Sequence, residues 1–478
     1  MAPAPPADGV RVRVHNRLAH ALQLTFTPTA PASSAVRQHA LGSAQHAVFE
    51  LPDACVLRVQ GAGKLASSAP LHLNLAPPTR TQQVRAARRA LSVASSGSEA
   101  LRWRSSTPSA AAPFLSALSE PDSADVQHLL LYPVRDSRSF LSSLPDSALL
   151  SSLSLPGTHE SLAMHGWPVS QCQSAALTAQ LNAGVRFLDV RLALKVEQGE
   201  ERLLAFHGPT EQFRELGEVL TELYAWLDGP GKRETLVISL KPEGSLSDPW
   251  AKVLYARHVD PSRKRWWLEN RVPTLGECRG KLIMFSRFVP LPGKPAGINS
   301  TKWPDSFDGC FSYSLPSGQT IATQDWYKIG VLAAIPHKID LVQQLLAAYG
   351  SRDDVLSLCF LSASSFPFAL PQPAALGMFK SGPPCLRVIG LNDRMFDLVA
   401  SRLTSAGASL TSAEAASSEK SLDIKGDLQA LAVSGRMSAA SGLGSVYALD
   451  FCEQTQDLLS LLIEANFAPG QAVPIVKA

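Results

Sequence analysis

At 478 residues with a formal net charge of +3, the chain is long enough for one large α/β domain plus a smaller companion, and too nearly neutral to read as a nucleic-acid binder. Its seven cysteines form neither a CxxC pair nor a clustered His/Cys spacing, so neither a zinc site nor a disulfide framework is signalled and reduced, buried thiols are the better reading. The N-terminus has no apolar core behind a positive start, and no apolar run reaches the roughly 18 residues a membrane span needs, so the expectation is a soluble, cytoplasmic protein.

Residues 10–104 read as all-β. VRVRVH alternates strictly, and LQLTFT, HAVFELP, CVLRVQG and LHLNLAP follow at short intervals between Pro, Gly and Ser, the pattern of a small β-sandwich over 1–105. The basic run TRTQQVRAARRA at 79–90 reads as a solvated face. Residues 106–137, as in SSTPSAAAPFLSALSEPDSAD, are poor in large apolar side chains and read as a linker.

From 138 onward short apolar runs alternate with amphipathic stretches, which predicts βα units around a parallel sheet. The strand candidates are LSLPG (153–157), VRFLDVR (185–191), RLLAFH (202–207), TLVISLK (235–241), KLIMFSR (281–287), LCFLSA (358–363) and SVYALDF (445–451). Helical patterns include SAALTAQLNAG, FRELGEVLTELYAWL and IDLVQQLLAAYG. That many strands predict an α/β fold of the distorted (β/α)8, TIM-barrel type for residues 138–478. A Ser/Ala-rich insert at about 404–442 reads as a mobile loop.

Barrel sites form at the C-terminal ends of the strands. There the chain has His159 with Glu160, Asp189 with Arg191, His207, Lys241 with Glu243, Arg287, and Asp450. One polar residue closing a strand is usually a cap; one at nearly every strand end is a pattern. If the runs ending near His159, Arg191 and His207 are parallel neighbours, two imidazoles and a guanidinium surround one pocket suited to a phosphate ester.

The motifs PGTHES, GVRFLDVRL, HG after LLAF, VISLKPE, PTLGECRGKLIMFSRF, QDWY at 324–327, FLSAS at 361–365 and the closing ALDF, in this order over roughly 138–470, resemble the X domain of phosphatidylinositol-specific phospholipases C. The resemblance implies that His159 is the general base, oriented by Asp450, and that His207 is the general acid, with Glu160 as its carboxylate partner. It assigns Arg191 to the phosphate, Asp189 to holding Arg191, Lys241, Arg287 and Asp325 to inositol hydroxyls, and Tyr327 to stacking on the ring. Calcium-dependent members carry a Glu-x-Asp pair where this chain has Asp189-Val190-Arg191, so a guanidinium stands in the place of the cation and neither metal nor cofactor is expected. Glu160 departs from the usual Asp by one methylene.

The implied partners are phosphatidylinositol or a glycosylated relative and a transient membrane surface, with no nucleic acid. His165 reads as a loop residue near the mouth, and most of Trp167, Trp266, Trp267 and Trp326 as core or rim packing. Two other readings stay open. One is a phosphodiesterase of the glycerophosphodiester type, against which Arg191 speaks. The other is a catalytically weak or silent phosphoinositide-binding protein that docks on membranes.

Overall fold

In the computed structural model the described residues are 9–29, 36–52, 54–62, 70–77, 79, 82, 101–106, 114–197, 199–244, 248–300, 302–379, 386–416 and 437–472. The chain divides into two compact units, Met1–Arg135 with Phe396–Leu428 and Phe467–Ala478, and Asp136–Met395 with Gln429–Asn466.

In the first unit, strict alternation turns Val10, Val12 and Val14 to one face of β1 (Val10–Asn16), where all three are buried. The other strands are β2 (Leu22–Pro28), β3 (Arg37–Leu41), β4 (His46–Leu51), β5 (Cys55–Gly61), β6 (Leu71–Leu75), β7 (Trp103–Ser106), β8 (Phe114–Ser119) and β9 (Val126–Pro133). They form one sheet in the order β4-β1-β9-β8-β7 and a second in the order β3-β2-β5-β6. Leu24, Phe26, Leu57 and Val59 of the second sheet share a core with Val12, Phe114, Leu129 and Leu131 of the first, so the two sheets face each other as a sandwich.

The stretch 106–137 is therefore not a linker: it holds β8 and β9, and β9 is buried along its whole length. Its VQHLLLYP run supplies core residues that the Ser/Ala/Pro average of the surrounding stretch conceals. The basic run at 79–90 lies outside the described residues except for Thr79 and Gln82.

The second unit contains β10 (Ser154–Thr158), β11 (Phe187–Glu197), β12 (Glu200–His207), β13 (Thr210–Glu215), β14 (Leu236–Pro242), β15 (Trp266–Trp267), β16 (Leu282–Ser286), β17 (Ile298–Asn299), β18 (Cys310–Ser314), β19 (Thr320–Gln324), β20 (Val355–Phe360) and β21 (Ser445–Leu449). The main path runs β15-β16-β14-β11-β10-β21-β20-β19-β18. Every neighbouring pair from β15 to β19 is parallel. The fold is α/β. Its first strand, β10, pairs with its last, β21, as a barrel requires, yet among the described residues no ladder joins β16 or β17 to β18 or β19. The sheet is thus open on that side rather than a closed eight-stranded ring.

Two helices illustrate the local logic. In Leu216–Asp228 the buried residues Leu216, Val219, Leu220, Leu223 and Leu227 follow helical spacing, and the Glu218 side chain accepts from the Glu215 N–H at 3.4 Å across the first turn. Ile335–Tyr349 opens on a proline in its first turn and is followed by Gly350. The insert at 404–442 is not wholly loop: helix Leu391–Ala416 runs into it and Met437–Ala440 is helical, while 417–436 lie outside the described residues.

One strand differs in direction from the sequence reading. β12 pairs antiparallel with β11, Leu192 opposite Ala205, so it is the return arm of a hairpin and carries His207 back toward Arg191. Every described cysteine is a free thiol, and no described helix is long and apolar enough to cross a membrane.

Candidate active site

The strand ends of the second unit converge on a cleft of about 840 Å³ lined by His159, Arg191, His207, Lys241, Arg287, Asp325, Tyr327 and Asp450. Glu243 lines it too, while Glu160 and Asp189, also singled out from the sequence, are buried and do not line it.

His159 follows β10 and Asp450 follows β21, the two strands that pair in parallel through Thr158 and Leu449. Their side chains meet 291 residues apart in sequence: His159 Nδ1 donates to Asp450 Oδ1 at 2.8 Å. The other ring nitrogen, Nε2, accepts from Arg191 Nη2 at 2.9 Å. Burial pulls the His159 pKa down against the opposing pull of Asp450, and burial raises that of Asp450 against the pull of His159.

Arg191 is held by three carboxylates. Its Nη1 lies 2.7 Å from Glu160 Oε1 and 3.6 Å from Glu243 Oε1, and its Nη2 lies 3.0 Å from Asp189 Oδ2. Against the desolvation of burial, Asp189 and Glu160 hold this guanidinium firmly charged. Burial alone would raise Asp189, but Arg191 and Arg287 outweigh it and keep that carboxyl well below its usual range. Glu160 shifts the other way: burial pushes it up to about 8 against the pull of Arg191, with Asp189 and Glu243 adding to the rise. Three carboxylates crowd one cation, and Glu160, unlike Asp189, is pushed toward its protonated form.

His207 faces His159 with ring centroids 6.3 Å apart and planes at 90°. Its Nδ1 donates to the Ser170 carbonyl at 2.6 Å, which leaves Nε2 toward the cleft. Burial and then Arg191 lower its pKa. The expected pairing with Glu160 is not a hydrogen bond: His207 Nε2 and Glu160 Oε1 are 3.7 Å apart. Glu160, whose backbone is left-handed with φ 44°, sets its carboxyl on Arg191 instead.

Around this centre, Lys241 Nζ stands 3.9 Å from Glu243 Oε1; burial, Arg191 and Arg287 lower its pKa. Arg287 lies 3.5 Å from Asp189 Oδ1 and 3.9 Å from Asp325 Oδ2. The Tyr327 hydroxyl donates to Asp305 Oδ1 at 2.7 Å.

Trp303 escaped the sequence reading. Its ring carries the Arg287 guanidinium 3.7 Å from its centroid, and its Nε1 donates to Asp325 Oδ2 at 2.8 Å. The only signal was a tryptophan beside Pro-Asp in a loop, to which no periodicity applies. His165 is exposed and packs edge-on against Phe213. Trp266 and Trp267 are buried, Trp326 packs on a core cluster, and Trp167 is 69% exposed.

His159, Cys172 and Asp450 each present one donor atom within 4.8 Å of the others. This trio has the chemistry to hold a cation, but the imidazole and carboxylate already share a proton, and burial holds the Cys172 thiol protonated.

Fold and site together define an α/β protein whose cleft gathers His159 and Arg191 from parallel strands and His207 from an antiparallel return strand, an arrangement for acid–base work on an anionic group. The sequence comparisons narrow that class. The chain is 29% identical over 258 residues to the 1-phosphatidylinositol phosphodiesterase of Listeria monocytogenes, covering 51% of this chain and 74% of that one. It is 25% identical over 246 residues to the protein of the same name from Staphylococcus aureus, covering 47% and 75%. A shorter match, 31% over 106 residues and 34% of its length, is to PI-PLC X domain-containing protein 1 of Danio rerio. The resemblance read from the motifs is thus borne out. The solved phosphatidylinositol-specific phospholipase C from Listeria monocytogenes aligns with 69% of this chain at 21% identity and a TM-score of 0.48. No family model matches the chain.

Proposed function

We propose that the second unit cleaves phosphatidylinositol, or a glycosylated relative, between glycerol and phosphate, as a phospholipase C. The observation that carries the reading is the opposed pair of imidazoles: His159 is tied through Nδ1 to a carboxylate and His207 through Nδ1 to a backbone carbonyl. Each therefore presents Nε2 to the cleft, one as a base and one as an acid. The similarity to 1-phosphatidylinositol phosphodiesterases supplies the substrate class.

In this mechanism the phosphodiester draws the Arg191 guanidinium off His159 Nε2, which frees that nitrogen. Nε2 takes the proton of the inositol 2-hydroxyl, and the oxygen attacks phosphorus. The imidazolium that forms is stabilised by Asp450. Arg191 holds the non-bridging oxygens as negative charge develops on them. The bond from phosphorus to the glycerol oxygen breaks, and His207 delivers its Nε2 proton to that oxygen. The phosphate charge raises the pKa of both imidazoles on binding, which favours the protonated acid. Products are diacylglycerol and inositol 1,2-cyclic phosphate. Lys241, Arg287, Asp325 and Tyr327 orient the ring. Arg191 supplies the positive charge, so no metal enters the scheme, and the parallel strands act as a barrel left open at one seam.

The test is release of cyclic inositol phosphate from phosphatidylinositol vesicles in excess chelator. Wild type is expected to form it, and His159→Ala and His207→Ala to lose it. A calcium requirement would overturn the mechanism. One observation favours a second reading: Glu160 engages Arg191 rather than His207, as in a site that binds the headgroup with little turnover. Vesicle binding without cyclic product would select that reading.

A further inference from the structure

The ladder that carries His159 and Asp450 ends just short of them. β10 and β21 pair through Thr158 and Leu449, and the next residues on each strand are His159 and Asp450. Both chains then turn through a left-handed residue, Glu160 at φ 44° and Phe451 at φ 51°. Beyond the His159 N–H, which donates to the Leu449 carbonyl at 3.0 Å, the two strands share no further backbone rung. The geometry of the His159–Asp450 pair must therefore be set by something other than the sheet.

Gln173 occupies that gap. Its side chain is wholly buried. Its Nε2 donates to the carbonyls of His159 and Leu449, each at 2.8 Å, and its Oε1 accepts from the Cys452 N–H at 3.4 Å. One amide thus joins the end of β10 to both sides of Asp450, using both of its N–H donors and one acceptor position of its oxygen. The segment is itself pinned. The N–H groups of Cys172 and Gln173 both donate to the Ala163 carbonyl, at 2.9 and 3.0 Å, and Phe451 N–H donates to the Cys172 carbonyl at 2.7 Å. Three residues before Gln173, the Ser170 carbonyl accepts a hydrogen bond from His207 Nδ1–H, so the same short stretch reaches the base, the segment that carries the carboxylate, and the acid.

We propose that Gln173 is a positioning residue for the reaction, replacing the rung that the β10–β21 ladder lacks and so fixing the His159–Asp450 hydrogen bond. The inference rests on the phospholipase C reading for its kinetic consequence only. The geometric consequence stands apart from it.

The experiment compares wild type, Gln173→Met, Gln173→Glu and His159→Ala. Met keeps the volume and removes all three bonds; Glu keeps the acceptor and sets lone pairs against the two carbonyls. A misplacement of about 1 Å at a reacting group costs on the order of 100-fold, so kcat on phosphatidylinositol should fall by about that factor in both variants while KM stays unchanged. The acid limb of the pH profile should move to lower pH, because Asp450 is what holds the His159 pKa up. Loosened packing alone would lower the plateau and leave the limb in place.

A measurement independent of turnover is the downfield proton resonance of His159 Nδ1–H. It should be present in wild type, absent in His159→Ala, and lost or shifted upfield in both Gln173 variants, with thermal melting confirming that they fold. If the resonance and kcat survive in Gln173→Met, the positioning role is wrong. If wild type makes no cyclic product yet the resonance is lost on substitution, the positioning role stands and the proposed activity falls.

Discussion

Each unit of the molecule contains a hydrogen-bonded chain of histidine and carboxylate, and the two chains differ in what they leave open. In the sandwich, His15 Nε2 and His128 Nδ1 are 3.0 Å apart, and His128 Nε2 bonds Asp122 Oδ2 at 3.0 Å. The second Asp122 oxygen accepts from the N–H groups of Ala124 and Val126. Both His128 nitrogens and both Asp122 oxygens are engaged by the protein itself, and burial pushes His15 down to about 2, locking it neutral. In the second unit the pattern begins the same way, with His159 on Asp450, but it ends in groups whose partners stand beyond hydrogen-bond range. His207 Nε2 is 3.7 Å from Glu160 and Lys241 is 3.9 Å from Glu243, both beside a cleft. Titratable residues do not make a site; unfilled valences facing a cavity do.

The sharpest way to break that comparison is to remove the base. His159→Ala should lower turnover by a factor of about 100 to 10,000 and also lower stability, since it strips the buried Asp450 carboxylate of its partner. Arg191→Lys comes next. A lysine cannot meet Asp189, Glu160 and the phosphate in a planar fork, and the loss of one donor to a developing oxyanion costs about 100- to 1,000-fold. If Arg191→Lys turned over at the wild-type rate, the guanidinium would be a structural tie like Asp122, and the distinction between the two units would weaken. Both are read from initial rates on phosphatidylinositol.

Much of this site was legible in sequence because fully buried parallel strands read as short apolar runs. LSLPG, TLVISLK and KLIMFSR lie on or beside real strands, and the polar residues that follow them meet at one cleft. What was not legible depends on pairing. RLLAFH reads as a strand, but nothing local says that it returns antiparallel. β19, TIATQ, has one large apolar residue and is buried by neighbours rather than by composition. β9 was hidden by the Ser and Pro around it. Gln173 is an ordinary glutamine until β10 and β21 are known to be adjacent, and Glu160 shows its partner only once its backbone turns left-handed. Strand ends can be read from a sequence, but what joins them cannot.

Smaller effects sharpen the contrast between open and closed valences. Trp167, Phe366 and Phe368 are 69%, 71% and 73% exposed, and Phe366 lines the cleft. Aromatic side chains of this kind favour a bilayer interface. Replacing all three by serine should weaken binding to phosphatidylinositol vesicles about tenfold, since 1.4 kcal/mol is a factor of ten and interfacial aromatics contribute on that scale, while hydrolysis of a short-chain monomeric substrate stays as it was. Equal losses on both substrates would place these residues in catalysis rather than docking.

Glu160→Gln tests the crowding of carboxylates around Arg191. The folded pKa of Glu160, about 8, lies above its ordinary value of 4.5. Its contribution to stability is therefore fully present below the lower value and is lost as pH rises through the window between the two. An amide at this position does not ionise, so the melting temperature of the variant relative to wild type should rise with pH across that window. A flat difference would mean that Glu160 is ionised throughout.

The last prediction has the smallest effect on turnover and bears most directly on the comparison. His128→Leu in the sandwich removes both bonds of the central imidazole and leaves Asp122 Oδ2 and His15 Nε2 facing an apolar side chain. A buried polar group stripped of its partner costs about 1–3 kcal/mol, so urea unfolding should show a lower midpoint for the variant. Turnover at saturating phosphatidylinositol should not change, because the chain His15–His128–Asp122 satisfies itself and offers nothing to a substrate. The opposite pairing of results, unchanged stability and reduced turnover, would mean that the histidines of the sandwich take part in the chemistry and that a closed hydrogen-bond chain is no guide to a silent one.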